Sequence, residues 1–269
     1  MGYLEIAGYI GALFIGISLG LIGGGGSILT VPLLVYFFGI EPILATAYSL
    51  FIVGLSSLFG GFKYAKQGLV DFKVGILFSI PAFTAVYLTR RFLVPALPDD
   101  WFAIGSLTIT KEIGILSLFA LLMITAAYSM IKDKSQESQS FSSGASFNIP
   151  LIILEGVVVG TLTGLVGAGG GFLIIPALVL LAKLPMKKAI GTSLIIISIK
   201  SLIGFIGDIQ AGEAINWVFL CVITGLATMG IVIGLIFRKR VNNEQLKTGF
   251  GYFVLIMGLI MIVKELFLQ

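Results

Sequence analysis

The hydrophobic residues of this chain come in runs rather than in alternation, and the polar ones gather in the gaps between them. In the first half, apolar runs cover roughly 4–22, 27–39, 43–62, 73–90 and 113–131. In the second half they cover roughly 148–166, 171–183, 188–206, 215–237 and 246–266. A helical bilayer crossing takes about 20 mostly apolar residues, and most of these runs reach that length. The second run of each half is shorter: its thirteen residues would rise about 20 Å as a helix, against a hydrocarbon core of about 30 Å. These two are expected to be half-helices or re-entrant pieces, which leaves about 8 to 10 full crossings. Stretches such as VLIMGLIMI at 254–262 do not alternate, so a transmembrane β-barrel is excluded.

Composition agrees. Only 11% of residues are charged and mean hydropathy is +1.11, whereas a soluble domain carries about 25% charged residues. The expected fold class is an all-α polytopic membrane protein. The opening MGYLEIAG lacks the charged n-region of a cleaved signal peptide and the hydroxyl residue of a myristoylation signal. The first run is therefore expected to be retained.

The chain is written twice. At an offset of 144, GLIGGGGSILTVPLL (20–34) falls on GLVGAGGGFLIIPAL (164–178), and the match runs without a gap from Gly16/Gly160 to Gly68/Gly212. Gly20, Gly23, Gly25, Gly26, Leu29 and Pro32 meet Gly164, Gly167, Gly169, Gly170, Leu173 and Pro176. Ala45, Ser49, Leu50, Ser57, Leu58 and Gly60 likewise meet Ala189, Ser193, Leu194, Ser201, Leu202 and Gly204. Leu and Ile match easily by chance in apolar sequence; Gly, Pro and Ser held in one register do not. The expected organisation is a first transmembrane repeat at 1–131, a polar serine-rich linker at 132–147 and a second repeat at 148–269.

Charge sets the relative sense of the halves. The link FGIEPIL carries only Glu41, while its counterpart KLPMKKA carries Lys183, Lys187 and Lys188. The next link reverses the bias: Lys63, Lys66 and Lys73 stand against Asp208 and Glu213. Lys and Arg favour the cytoplasmic side, so equivalent links lie on opposite faces and the repeats are expected to be inverted. This count puts the linker and FRKRVNNEQLK inside and both chain ends outside. Arg90 and Arg91 then fall outside, against the rule, with Asp99 and Asp100 nearby.

Adjacent glycines are not a helix-packing pattern, which needs spacing by turns. Gly23, Gly24, Gly25 and Gly26, and then Gly167, Ala168, Gly169, Gly170 and Gly171, break the backbone at membrane depth. Such breaks are tolerated only inside protein or along a wet cavity. A helix restarting at Ser27 and at Gly171 or Phe172 would offer free N–H groups and a partial positive charge to a small anion. Hydroxyls at matching repeat positions join these as candidate substrate contacts: Tyr48 and Ser49 in the first half, Thr192 and Ser193 in the second. The alternative for each hydroxyl is a bond to a carbonyl one turn back. Lys200 lies mid-run in IIISIKSLIGF. A charge at the bilayer centre costs at least about 2.5–3.5 kcal/mol, so it faces a cavity or partner, or snorkels to an interface along its stem. Glu155 is similar but nearer the end of its run.

Other chemistries fall away. No Lys follows either glycine run, which excludes a phosphate-binding P-loop, and no basic cluster with interleaved aromatics points to nucleic acid. With no histidine and Cys221 as the lone cysteine, there is no His-based metal site and no Ser-His or Cys-His pair. No catalytic residue, metal site or cofactor is expected.

The doubled pattern G-x-x-G-x-G-G-x-x-L-x-x-P, each copy followed by a Ser-Leu pair (49–50 and 193–194), resembles the sulfite exporter TauE/SafE family over nearly the whole chain. That resemblance implies a bacterial inner-membrane transporter that exports sulfite, an organosulfonate or another small sulfur-containing anion. The partners implied are the lipid bilayer, the anion and a coupling ion, proton or sodium. Alternating access between the halves would carry the anion. The alternatives are a passive anion channel and a non-transporting membrane scaffold or assembly factor.

Overall fold

Each long apolar run is a helix in the computed structural model, which describes residues 2–104, 107–132, 149–180, 182–237 and 243–267. In chain order the elements begin with α1 (Tyr3–Ile22), a 3-10 segment (Gly24–Leu29), α2 (Thr30–Phe38), α3 (Pro42–Lys66) and α4 (Phe72–Leu88). A π-helical turn (Thr89–Leu93), α5 (Val94–Ala96), β1 (Asp100–Ile104), β2 (Leu107–Thr110) and α6 (Lys111–Lys132) complete the first half. The second half holds α7 (Ile149–Val166), α8 (Gly171–Leu180), α9 (Met186–Ala211), α10 (Trp217–Phe237) and α11 (Asn243–Phe267). Among the described residues, seven helices are long and apolar enough to cross a membrane, and Gly26–Phe38 and Pro150–Val166 are shorter apolar stretches. The protein is a multi-pass helical membrane protein. Large side chains such as Phe14, Ile76, Met229 and Ile256 are exposed, as expected of a surface that meets lipid.

The two short runs are short helices: α2 has 9 residues and α8 has 10. The sequence pattern did not foresee the antiparallel hairpin of β1 and β2 between α5 and α6. Apart from Lys132, the expected linker lies outside the described residues.

Helices pair in a way that exchanges the halves. The most extensive interfaces join α1 to α10, α7 to α4, α3 to α9 and α6 to α11. Repeat-equivalent α3 and α9 run antiparallel, since Gly54 faces Leu202, Gly60 faces Leu194 and Gly204 faces Leu50. The fifth helices, α6 and α11, also run antiparallel: Gly251 faces Met130 and Ile131, Gly258 faces Met123 and Ile124. Between α1 and α10 the backbones touch, because side chains at Gly16 and Gly20 would overlap Ala227, Gly230 and Ile231. The equivalent α7–α4 contact uses Gly156, Gly160 and Gly164 against Pro81, Ala82 and Thr89. Small residues at helix spacing permit this close approach, and packing drives it where no hydrophobic effect operates.

Antiparallel packing also sorts charge. The start of α9 lies against the end of α3, where Gly191 meets Tyr64 and Leu69. The Asp71 N–H donates to Thr192 Oγ1 at 2.9 Å, which fixes the start of α4 at the same end. Lys63, Lys66, Lys73, Lys187 and Lys188 are thereby gathered at one end of the bundle. Glu41 and Glu213 stand at the other, where the Tyr48 hydroxyl accepts the Asn216 N–H at 2.6 Å.

Candidate functional site

The two glycine breaks meet in the middle of the bundle, and they are built differently. α1 stops at Ile22, and Gly23 takes φ 81° and ψ −144°, a region closed to side-chain-bearing residues. The chain then winds as the 3-10 segment, and α2 begins only at Thr30, so the expected restart at Ser27 gives way to a tighter turn first. In the second break, Gly167, Gly169 and Gly170 all have positive φ, and α8 starts directly at Gly171, as expected. Four residues of irregular backbone therefore separate α7 from α8.

Gly24 and Gly171 are in backbone contact, so close that a side chain on either would overlap the other. Ser27 ties the breaks together. Its buried Oγ lies 2.7 Å from the Gly24 carbonyl and 2.8 Å from the Ala168 carbonyl, with one proton to share between them. Gly169 abuts Val53 and Ser27, and Gly23 abuts Ile190 and Ile175. Gly25 and Gly26 lie within the 3-10 segment, with Gly26 against Ser18 and Leu19.

Lys200 is fully buried, 0% exposed, so it does not snorkel. Its Nζ donates to Thr163 Oγ1 at 2.7 Å, and Thr163 in turn donates to the Val159 carbonyl at 2.7 Å. A Cβ at Gly170 would lie 2.7 Å from Nζ, so the ammonium stands against the second break just before α8 begins. Among the described residues the ion pairs are Arg90–Asp208 and Lys111–Asp99, and neither involves Lys200. An ammonium has three protons to donate, and among the described residues only Thr163 accepts one here. Glu155, half-buried on α7, does not pair with it.

The four hydroxyl candidates divide. Tyr48 and Thr192 occupy the same repeat position, and each accepts a backbone N–H just ahead of a helix of the other half, from Asn216 and Asp71. That matched pair holds the halves together. Ser193 donates to the Ile190 carbonyl at 2.8 Å. The Ser49 hydroxyl is buried with no hydrogen-bond partner among the described residues.

A second polar cluster has no counterpart among the sequence candidates. Arg90, expected as an outer loop charge, is 1% exposed and sits in the π-helical turn after α4. Its Nη1 donates to Thr46 Oγ1 at 2.9 Å and lies 3.4 Å from Asp208 Oδ1. Thr46 packs on Gly167, so this cluster touches the opposite end of the same break that Lys200 borders. Burial resolves the breach of the charge rule: Arg90 is an internal group with its own carboxylate, outside the reach of a rule about loops. Arg91 remains nearer the surface and donates to the Gln210 carbonyl at 2.6 Å. The signal available in the sequence was that breach itself, together with an Asp one helical face along from Lys200.

Residues 9–261, from the middle of α1 to the last turns of α11, match the family described as sulfite exporter TauE/SafE. The chain belongs to that family. Curated relatives carry compatible names. One is the probable membrane transporter protein YunE of Bacillus subtilis, 28% identical over 97% of this chain and 96% of its own length. Another is the probable membrane transporter protein MJ0441 of Methanocaldococcus jannaschii, 29% identical over 97% of this chain and 94% of that protein. A probable membrane transporter protein of Xylella fastidiosa is 26% identical over 93% of this chain and 92% of its own length. No solved structure matches the chain. As a TauE/SafE member the protein is a membrane transporter, and the glycine breaks, Lys200 and the Arg90 cluster all lie within the matched span.

Proposed function

We propose that the protein is a secondary transporter of a small sulfur-containing anion, such as sulfite or an organosulfonate, and that it works by alternating access as an exporter. The observation that carries this reading is Lys200, a fully buried basic side chain with one hydroxyl partner and no carboxylate among the described residues, held against the second glycine break. A bare charge in that position is costly unless an anion completes it. The start of α8 at Gly171 adds the partial positive charge of a helix N-terminus beside it. Substrate would bind at Lys200, Thr163 and Gly170, with the Ser49 hydroxyl and the glycine breaks as further contacts. The antiparallel pairing of α3 with α9 and of α6 with α11 supports inverted repeats, the usual frame for alternating access. An inside-negative potential already favours outward anion movement, at about 2.3 kcal/mol per charge per 100 mV. Coupling to a proton or sodium gradient is therefore optional on energetic grounds. The family name and the names of the relatives favour transport over a scaffold role.

The test is a thermal-shift screen of sulfite, sulfate, thiosulfate, sulfoacetate and taurine on detergent-purified protein. At least one anion is expected to raise the melting temperature in the wild type and not in Lys200→Met. If none acts on the wild type, or the variant responds equally, the reading fails. Efflux from proteoliposomes then separates carrier from channel, since a carrier saturates with anion concentration.

A further inference from the structure

Two cations and one carboxylate, Arg90, Lys200 and Asp208, are the charged side chains among the described buried residues. The described buried residues thus include two basic side chains and one acidic one, and the two basic groups stand at the two ends of one break: Lys200 at Gly170, Arg90 through Thr46 at Gly167. Arg90 uses only one of its three nitrogens. Nη1 meets Thr46 and Asp208, while Nε and Nη2 have no hydrogen-bond partner among the described residues. Nε and Nη2 form the side edge of a guanidinium, the parallel pair of donors that grips two oxygens of a carboxylate, phosphate or sulfonate at once. That edge is buried with its donors unpartnered among the described residues, and the carboxylate beside it meets Nη1 instead.

Asp208 holds Arg90 weakly for a buried partner. The single contact is 3.4 Å long, where a charge-assisted N–H···O bond runs about 2.7–2.9 Å. Its Oδ2 has no partner among the described residues. The π-helical turn Thr89–Leu93 adds an independent sign, because such turns frequently interrupt α-helices at functional sites.

We propose that Arg90 is a second anion station, taking a small oxyanion side-on across Nε and Nη2, with Asp208 as the built-in competitor that the anion must displace. The proposal rests on the transport reading and extends it: the anion occupies Lys200 at one end of the Gly167–Gly170 backbone and Arg90 at the other. Both stations can be filled together, since each has its own donors. Asp208 makes the Arg90 station the weaker one, so an arriving anion is held loosely there and leaves readily.

Equilibrium dialysis of radiolabelled sulfite under argon, on full-length protein in detergent, reads the stations separately. Wild type is expected to show a tight phase and a weak phase. Asp208→Asn is expected to tighten the weak phase at least about tenfold, the change that about 1.4 kcal/mol produces. Arg90→Met with Asp208→Asn removes both charges of the pair together; it is expected to abolish the weak phase and leave the tight one. Lys200→Met is expected to do the reverse. A weak phase that survives the double variant overturns the proposal, as does a single phase in wild type that Asp208→Asn leaves unchanged. Should Asp208→Asn not purify as monodisperse protein, wild type against the double variant decides alone. A tight phase absent from wild type, or persisting in Lys200→Met, sinks the transport reading instead, so the two failures are distinct.

Discussion

A lysine in a membrane interior is kept there against its own solvation, and Lys200 shows the bargain at residue scale. Its amine has a single hydroxyl partner among the described residues, so replacing it should relieve more than it removes. Lys200→Met is expected to raise the melting temperature of anion-free protein while abolishing the response to sulfite. A purely structural lysine would lower both. The opposition of stability and function marks a group retained for its ligand. Lys200 was legible in the sequence because a charge inside an apolar run has no bland explanation. Arg90 and Asp208 left only the faint trace of the breached charge rule, because each stands near the end of its run, where a charge ordinarily meets water. Only the packing of the π-helical turn on the last turns of α9 encloses them.

At the scale of elements, the glycines perform two separate jobs. Gly24 and Gly171 lie backbone to backbone, and a methyl on either has nowhere to go. Gly24→Ala or Gly171→Ala is expected to destabilise the protein by about 1–3 kcal/mol, the usual cost of overpacking. Gly225, exposed on α10 with open space around it, is the control: Gly225→Ala should be neutral or stabilise by up to about 1 kcal/mol. Thermal denaturation of the three variants checks the contrast. The breaks themselves were readable from composition, since runs of adjacent glycine fit no packing pattern. Their different conformations were not, because φ is set by what each glycine touches. One break became a 3-10 segment and the other a string of three left-handed glycines. The β1–β2 hairpin was hidden for a different reason: LTIT carries β-branched residues, but its only partner strand is a short neighbour whose flanking Pro and Asp read as a link.

Across the whole molecule, the basic links of both halves lie at one end. The loop-charge argument and the helix pairing reach that arrangement independently, one from Lys placement and the other from the contacts of Thr192 and Gly191. In a Cys221→Ser background, a cysteine at Lys187 and one at Lys66 should react with a membrane-impermeant maleimide only after cells are opened. One at Glu213 should react in intact cells. Labelling of Lys187→Cys and Lys66→Cys from opposite sides would refute the antiparallel pairing of α3 and α9. The gap-free part of the repeat ends at Gly68/Gly212, and beyond it the halves diverge, the hairpin lying, among the described residues, in the first alone. The hairpin has a practical use. A chain of 28.6 kDa built almost wholly of helices is hard to align in an electron micrograph. A rigid antibody fragment raised against the hairpin would give every particle an unambiguous top.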